Sequence, residues 1–100
     1  AFNFIKKLAN YRKKSNALTK GKLTQFVPEN GIYVYFREFQ NELIMIVINT
    51  NIENKNLDLK RFEEKLNNKT SFIDVLNNSK SSIENQIEMK GSEILILNVE

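Results

Sequence analysis

One hundred residues suffice for a single domain with one modest core, and the absence of cysteine and histidine removes disulfides, the usual zinc sets, thiol nucleophiles and the Ser-His-Asp arrangement. Hydrophobic residues at 41% against 27% charged place the chain among folded domains rather than disordered segments. The net charge of +3 is a thin excess that draws polyanions only weakly, and no stretch approaches the ~20 apolar residues that span a bilayer.

The chain opens at Ala1 without an initiator Met or a signal-peptide apolar region, which leads us to expect a piece of a longer protein. In "FNFIKKLANYRKKS", Phe4, Leu8 and Tyr11 recur at helical spacing, with Ile5 and Ala9 beside them and Asn3 as a candidate N-cap. This predicts an amphipathic helix whose basic residues in the last turn suit the macrodipole. Gly21 breaks the pattern. "KLTQFV" then alternates, "PENG" supplies turn residues, and "IYVYFR" sets Ile32, Val34 and Phe36 on one face with Tyr33, Tyr35 and Arg37 on the other. "EFQNE" turns the chain into "LIMIVINT", apolar at every position from Leu43 to Ile48. Such a strand needs cover on both faces.

"NTNIENKN" reads as a polar loop in which Asn side chains bond the local backbone, and "LDL" as a brief pairing segment. "KRFEEKLNN" predicts a short helix from Phe62 and Leu66 at i, i+4. "SFIDVL", "SIENQIEM" and "SEILILNV" are three further strands separated by Asn, Ser or Gly. About seven short strands, one leading helix and one inserted helix predict an antiparallel sandwich or open barrel.

Three constellations could carry chemistry. Lys6, Lys7, Arg12, Lys13 and Lys14 crowd the first helix, with Tyr11 available for stacking. A solvated helix face accounts for them, since no nucleic-acid motif accompanies the charge. Glu63, Glu64, Asp58, Asp74, Glu84, Glu88 and Glu93 supply carboxylates, but nothing in their spacing fixes the pair that glycoside hydrolysis needs, and no calcium loop appears. Tyr33, Tyr35 and Phe39 could form an aromatic platform for a sugar. Packing against a second layer or a partner domain is the plainer account of them. We therefore expect no catalytic, cofactor-binding or metal-ligating residue here.

The segment "FIKKLANYRKKSNALTKGKL" resembles the last helix of the catalytic barrel in the alpha-amylase family of glycoside hydrolases, through Leu8, Arg12, Lys13, Ala17, Leu18 and Gly21. The continuation resembles the C-terminal β domain of cyclomaltodextrinases and neopullulanases, most specifically in "FVPENGIYVYFR", "LDLKRF" and the closing "ILIL". Two places depart from that pattern. Asn16 stands where many relatives have proline, and Leu76 to Lys80 replace a threonine-glycine turn.

The resemblance implies an all-β, Greek-key β-sandwich over residues 18–100, preceded by a barrel-derived helix over 1–17. It also implies a non-catalytic accessory role in an enzyme hydrolysing alpha-1,4-glucans or cyclomaltodextrins, whose catalytic carboxylates lie upstream of Phe2. The expected partner is the catalytic barrel of the same polypeptide, with alpha-glucan as an alternative ligand of Tyr33 and Tyr35. A bare second sheet face would let the isolated fragment form a homodimer. Neither nucleic acid nor membrane is expected as a partner, no cofactor is expected, and localisation is left open.

Overall fold

A computed structural model describes residues 6, 9–10, 13, 15 and 20–100. Of the leading helix, Lys6, Ala9, Asn10 and Lys13 are helical and exposed. Its expected apolar stripe at Phe4, Leu8 and Tyr11, and the departure at Asn16, lie outside the described residues.

Eight strands follow: β1 (Lys22–Glu29), β2 (Ile32–Phe39), β3 (Glu42–Asn49), β4 (Lys55–Asp58), β5 (Ser71–Asp74), β6 (Ser79–Ser82), β7 (Gln86–Met89) and β8 (Ile94–Val99). A 3-10 turn, Lys60–Phe62, runs directly into the short helix α1, Glu63–Leu66. All the pairings are antiparallel, in a six-stranded sheet of order β1-β2-β3-β8-β5-β6 and a two-stranded sheet β4-β7. The chain crosses to the small sheet for β4 and again for β7, so β8, last in sequence, lies between β3 and β5. The fold is an all-β sandwich.

Local chemistry explains the first hairpins. Asn30 and Gly31 both take positive φ, 53° and 73°, between the paired residues Glu29 and Ile32. An Asn-Gly pair is the sequence best suited to a two-residue turn that matches strand twist. The β1–β2 register slips between Phe26 and Glu29, and Pro28 falls inside that irregularity on an edge strand. There its missing N–H costs no ladder bond. Gln40 makes the next turn with φ of 53°.

The core lies between the sheets. Ile32, Val34 and Phe36 of β2, Leu43, Met45 and Val47 of β3, and Leu97 and Val99 of β8 meet Leu57 of β4 and Met89 of β7. Leu59, Phe62 and Leu66 close the same layer from the 3-10 turn and α1. Three rings anchor it: Phe26 packs edge-on against Phe36 at 5.6 Å and against Phe62 at 4.8 Å. These are the separations at which aromatic quadrupoles attract.

The strand count exceeds the expected seven because "SIENQIEM" is not one strand. Its start belongs to β6, which is "SKSS", and its end to β7, in the other sheet. The departure at Leu76 to Lys80 is resolved by Asp74, whose Oδ1 accepts the N–H groups of Leu76 at 2.9 Å and Asn77 at 3.1 Å. Asn78 takes the left-handed φ of 57° that a glycine would otherwise supply.

Phe62 is wholly buried among the aromatic cluster, so Phe62→Ala should destabilise the chain by about 3–5 kcal/mol. Urea unfolding checks this: the midpoint should fall with the slope unchanged.

Candidate functional site

The outer face of the large sheet is the side away from the core, and the strand registers define it. Tyr33 of β2 opposes Ile48 of β3, which opposes Ile94 of β8. One row further along the strands, Tyr35 opposes Ile46 and Ile46 opposes Ile96. A third row runs Arg37, Ile44, Asn98 and Ile73. Two tyrosines and six isoleucines thus share a face that an ordinary solvated sheet would fill with polar residues.

Cover on this face is uneven. Ile44 is 0% and Ile96 3% exposed, packed with Phe39, Ile46, Val75 and Leu76, whereas Ile94 is 40% exposed. Near the covered end, the buried Ser15 donates its hydroxyl to Glu42 at the start of β3, at 2.9 Å. The open end carries Tyr33, Ile48 and Ile94.

The expected aromatic platform is therefore divided. Tyr33 and Tyr35 are half-buried on the open face, while Phe39 belongs to the cluster around Ile44 and Ile96. The carboxylates are dispersed, and several bind backbone. Asp58 Oδ1 accepts from Lys60 N at 2.9 Å, Asp74 caps its own turn, and Glu93 Oε1 accepts from Lys90 N at 2.9 Å. Glu63, Glu64, Glu84 and Glu88 are exposed. Asp58, Glu63, Glu64 and Glu84 border an open groove of about 1000 Å³ beside α1. Among the described residues no cluster of three acidic side chains is arranged to hold a metal ion. Lys6 and Lys13 are exposed, and Lys7, Arg12 and Lys14 lie outside the described residues.

Two polar devices that sequence reading does not single out hold the sandwich near the first hairpin turn. Asn49 is 1% exposed at the end of β3. Its Nδ2 donates to the carbonyls of Lys90 at 2.9 Å and Glu53 at 3.1 Å, while its Oδ1 accepts from Asn51 N at 3.0 Å and Asn51 Nδ2 at 2.9 Å. Asn51 Nδ2 also reaches the Asn30 carbonyl at 2.6 Å. Asn49 and Asn51 together thereby join the first hairpin turn, the loop after β3 and the turn before β8. Close by, a Cβ at Gly91 would lie 1.7 Å from the Ile52 carbonyl oxygen, so only glycine fits. At the edge strand β1, close to the same hairpin turn, Arg61 donates to the Val27 carbonyl at 2.8 Å, pairs with Glu29 at 3.6 Å and lies over the rings of Phe26 and Phe62.

Fold and faces together define a small antiparallel β-sandwich whose larger sheet carries an apolar face beyond its own core. The family model for the cyclo-malto-dextrinase C-terminal domain matches residues 23–98, and the chain belongs to that family. A cyclomaltodextrin glucanotransferase of Thermoanaerobacterium thermosulfurigenes is 40% identical over 52 residues, which are 52% of this chain and 7% of that protein. An alpha-amylase of Niallia circulans is 38% identical over 52 residues, 52% of this chain and 10% of that protein. The solved structure of an Anoxybacillus alpha-amylase superposes with a TM-score of 0.82 at 17% identity, covering 97% of this chain and 22% of that one. The matched segment thus spans a tenth or less of these curated relatives' length.

Asn49→Ala should lower stability by roughly 4 kcal/mol, at about 1 kcal/mol for each of the four hydrogen bonds lost. Hydrogen exchange would show the effect as lost protection at Asn51, whose N–H is bound by the Asn49 side chain.

Proposed function

We propose that this chain is a non-catalytic C-terminal domain of an enzyme acting on alpha-linked glucans, and that it stabilises the catalytic barrel by packing against it. In this reading residues 1–17 complete the barrel and residues 18–100 form the accessory domain. The contact is the open end of the outer sheet face.

The carrying observation is the row Tyr33–Ile48–Ile94. It is apolar throughout, yet Ile94 is 40% exposed at the centre of the large sheet, on β8. Covering such a row contributes about 25 cal/mol per Å² of apolar area removed from water, before other costs. The matched segment is 7% and 10% of those relatives, which leaves ample chain in them to supply such cover. Tyrosine suits the rim of such a contact, with its ring in the apolar part and its hydroxyl at the wet edge.

A second reading, in which Tyr33 and Tyr35 stack on a maltooligosaccharide, draws on their alternate placement on one half-exposed face. The two readings separate by titration. Under the docking reading, Tyr33→Ala leaves the heat of maltoheptaose titration into the isolated chain unchanged, whereas binding abolished by Tyr33→Ala would favour the sugar platform.

Ile94→Lys provides the decisive comparison. In the isolated chain it should change stability by less than about 0.5 kcal/mol, as expected for an exposed position. In the full-length enzyme it should lower the thermal midpoint by several degrees while leaving the Michaelis constant nearly unchanged. Deleting the domain should do the same more severely, and an enzyme equally stable after deletion would overturn the proposal. The isolated chain should hydrolyse no starch.

A further inference from the structure

We infer that the cleft between β6 and β7 is a binding site for a single neutral pyranose ring, separate from the tyrosine face. In the β5–β6 hairpin, Phe72 pairs with Ser81 and Asp74 with Ser79. Phe72 belongs to the core, so the strand alternation turns Ser81 and Ser79 to the inner side as well. A strand closing a sandwich ordinarily carries apolar residues at those positions. Here it carries hydroxyls, and all four residues of β6 are exposed.

The result is a cleft of about 300 Å³ with two kinds of wall. Phe72, Ile87, Leu95 and Leu97 form an apolar floor. Ser79, Ser81, Glu84 and Gln86 line the sides together with Asp74, whose carboxylate is held by its turn. The hydroxyls of both serines, the Glu84 carboxylate and the Gln86 amide make no side-chain hydrogen bond or ion pair with the described residues. They are free to bind a ligand.

The chemistry selects the ligand. Serine hydroxyls and the glutamine amide both donate and accept, and the two carboxylates accept strongly from hydroxyl groups. No cation lines the cleft, and the carboxylates repel phosphate, sulfate and acidic sugars. An apolar floor beneath a hydroxyl-binding rim matches a pyranose, whose ring carbons present C–H bonds on one side and hydroxyls around the edge. The volume is at the lower limit of the ~300–1,000 Å³ usual for ligand pockets, so one ring enters rather than a chain. With Phe72, the cleft's one ring, only 4% exposed, affinity should be modest, with Kd on the order of 1 mM.

The test is an NMR titration of the isotope-labelled 100-residue chain with glucose and maltose, with glycerol and choline as controls. Saturating shifts at Ser79 to Ser82 and Glu84 to Ile87 are expected for the sugars, with at most a weak, non-saturating response to the controls. Ser81→Val and Gln86→Leu should each weaken binding about fivefold or more. Both positions are exposed, so the thermal midpoint should stay unchanged, and Tyr33→Ala should leave these shifts intact. Three results would overturn the site: no saturation below about 100 mM sugar, an equal response to glycerol or choline, or shifts confined to Tyr33 and Tyr35. The choice of glucosyl probes rests on the functional reading above, but Ile94→Lys tests barrel docking separately, so either can fail alone.

Discussion

The apolar run from Leu43 to Ile48 constrains everything around it. Strand geometry alternates its side chains, so Leu43, Met45 and Val47 must be buried on one side of β3 while Ile44, Ile46 and Ile48 require cover on the other. β2 and β8 flank it and carry the same demand outward, through Tyr33 and Tyr35 on one side and Ile94 and Ile96 on the other. A chain of this size supplies one full core and only part of a second. The inner face is therefore covered except for the cleft beside β6, and the outer face is covered only around Ile44 and Ile96.

What the sequence revealed follows from which signals are local. Alternation located β1, β2 and β3, and the Asn-Gly pair located their first turn, because both features act within a few residues. β6 escaped because "SKSS" has no apolar residue to alternate. It exists through tertiary pairing with β5, and it starts where Asp74 and Asn78 turn the chain. Merging it with β7 was the natural error, since the bend at residues 83–85 contains no glycine or proline. Asn49 escaped for a different reason. In sequence it is one Asn among many, and only the meeting of Asn51, Glu53 and Lys90 around it makes it a buried hub. The tyrosine pair was legible as a shared face, but the grouping of Phe39 with Ile44 was not, because it depends on what lies over the end of the sheet.

The two edges of the large sheet are protected by opposite means. β1 exposes Leu23 and Val27, a combination that invites strand addition. Pro28 and the register slip interrupt its ladder, and Arg61 occupies the Val27 carbonyl from the other layer. The planar guanidinium donates to that carbonyl while lying over two rings, so lysine could not reproduce the arrangement. β6 instead offers only serines and a lysine, with Lys80 near Glu100 at 3.9 Å. An edge so polar gives another strand no apolar face to bury.

These edge solutions are linked to the inequality of the two layers. A two-stranded sheet cannot cover a six-stranded one. Over β1 to β3 the deficit is filled by the segment from Leu59 to Leu66, whose Phe62 completes the aromatic cluster and whose Lys65 pairs with Glu38 of β2. Over β5 and β6 no comparable segment stands among the described residues, and of the short connection at residues 83–85 only Glu84 lines the gap. Apolar residues at the inner positions of β6 would lie open to water there. Serine avoids that cost, and the same substitution lines the resulting cleft with hydroxyls. The polar edge and the cleft are thus one consequence of a second layer too narrow for the first.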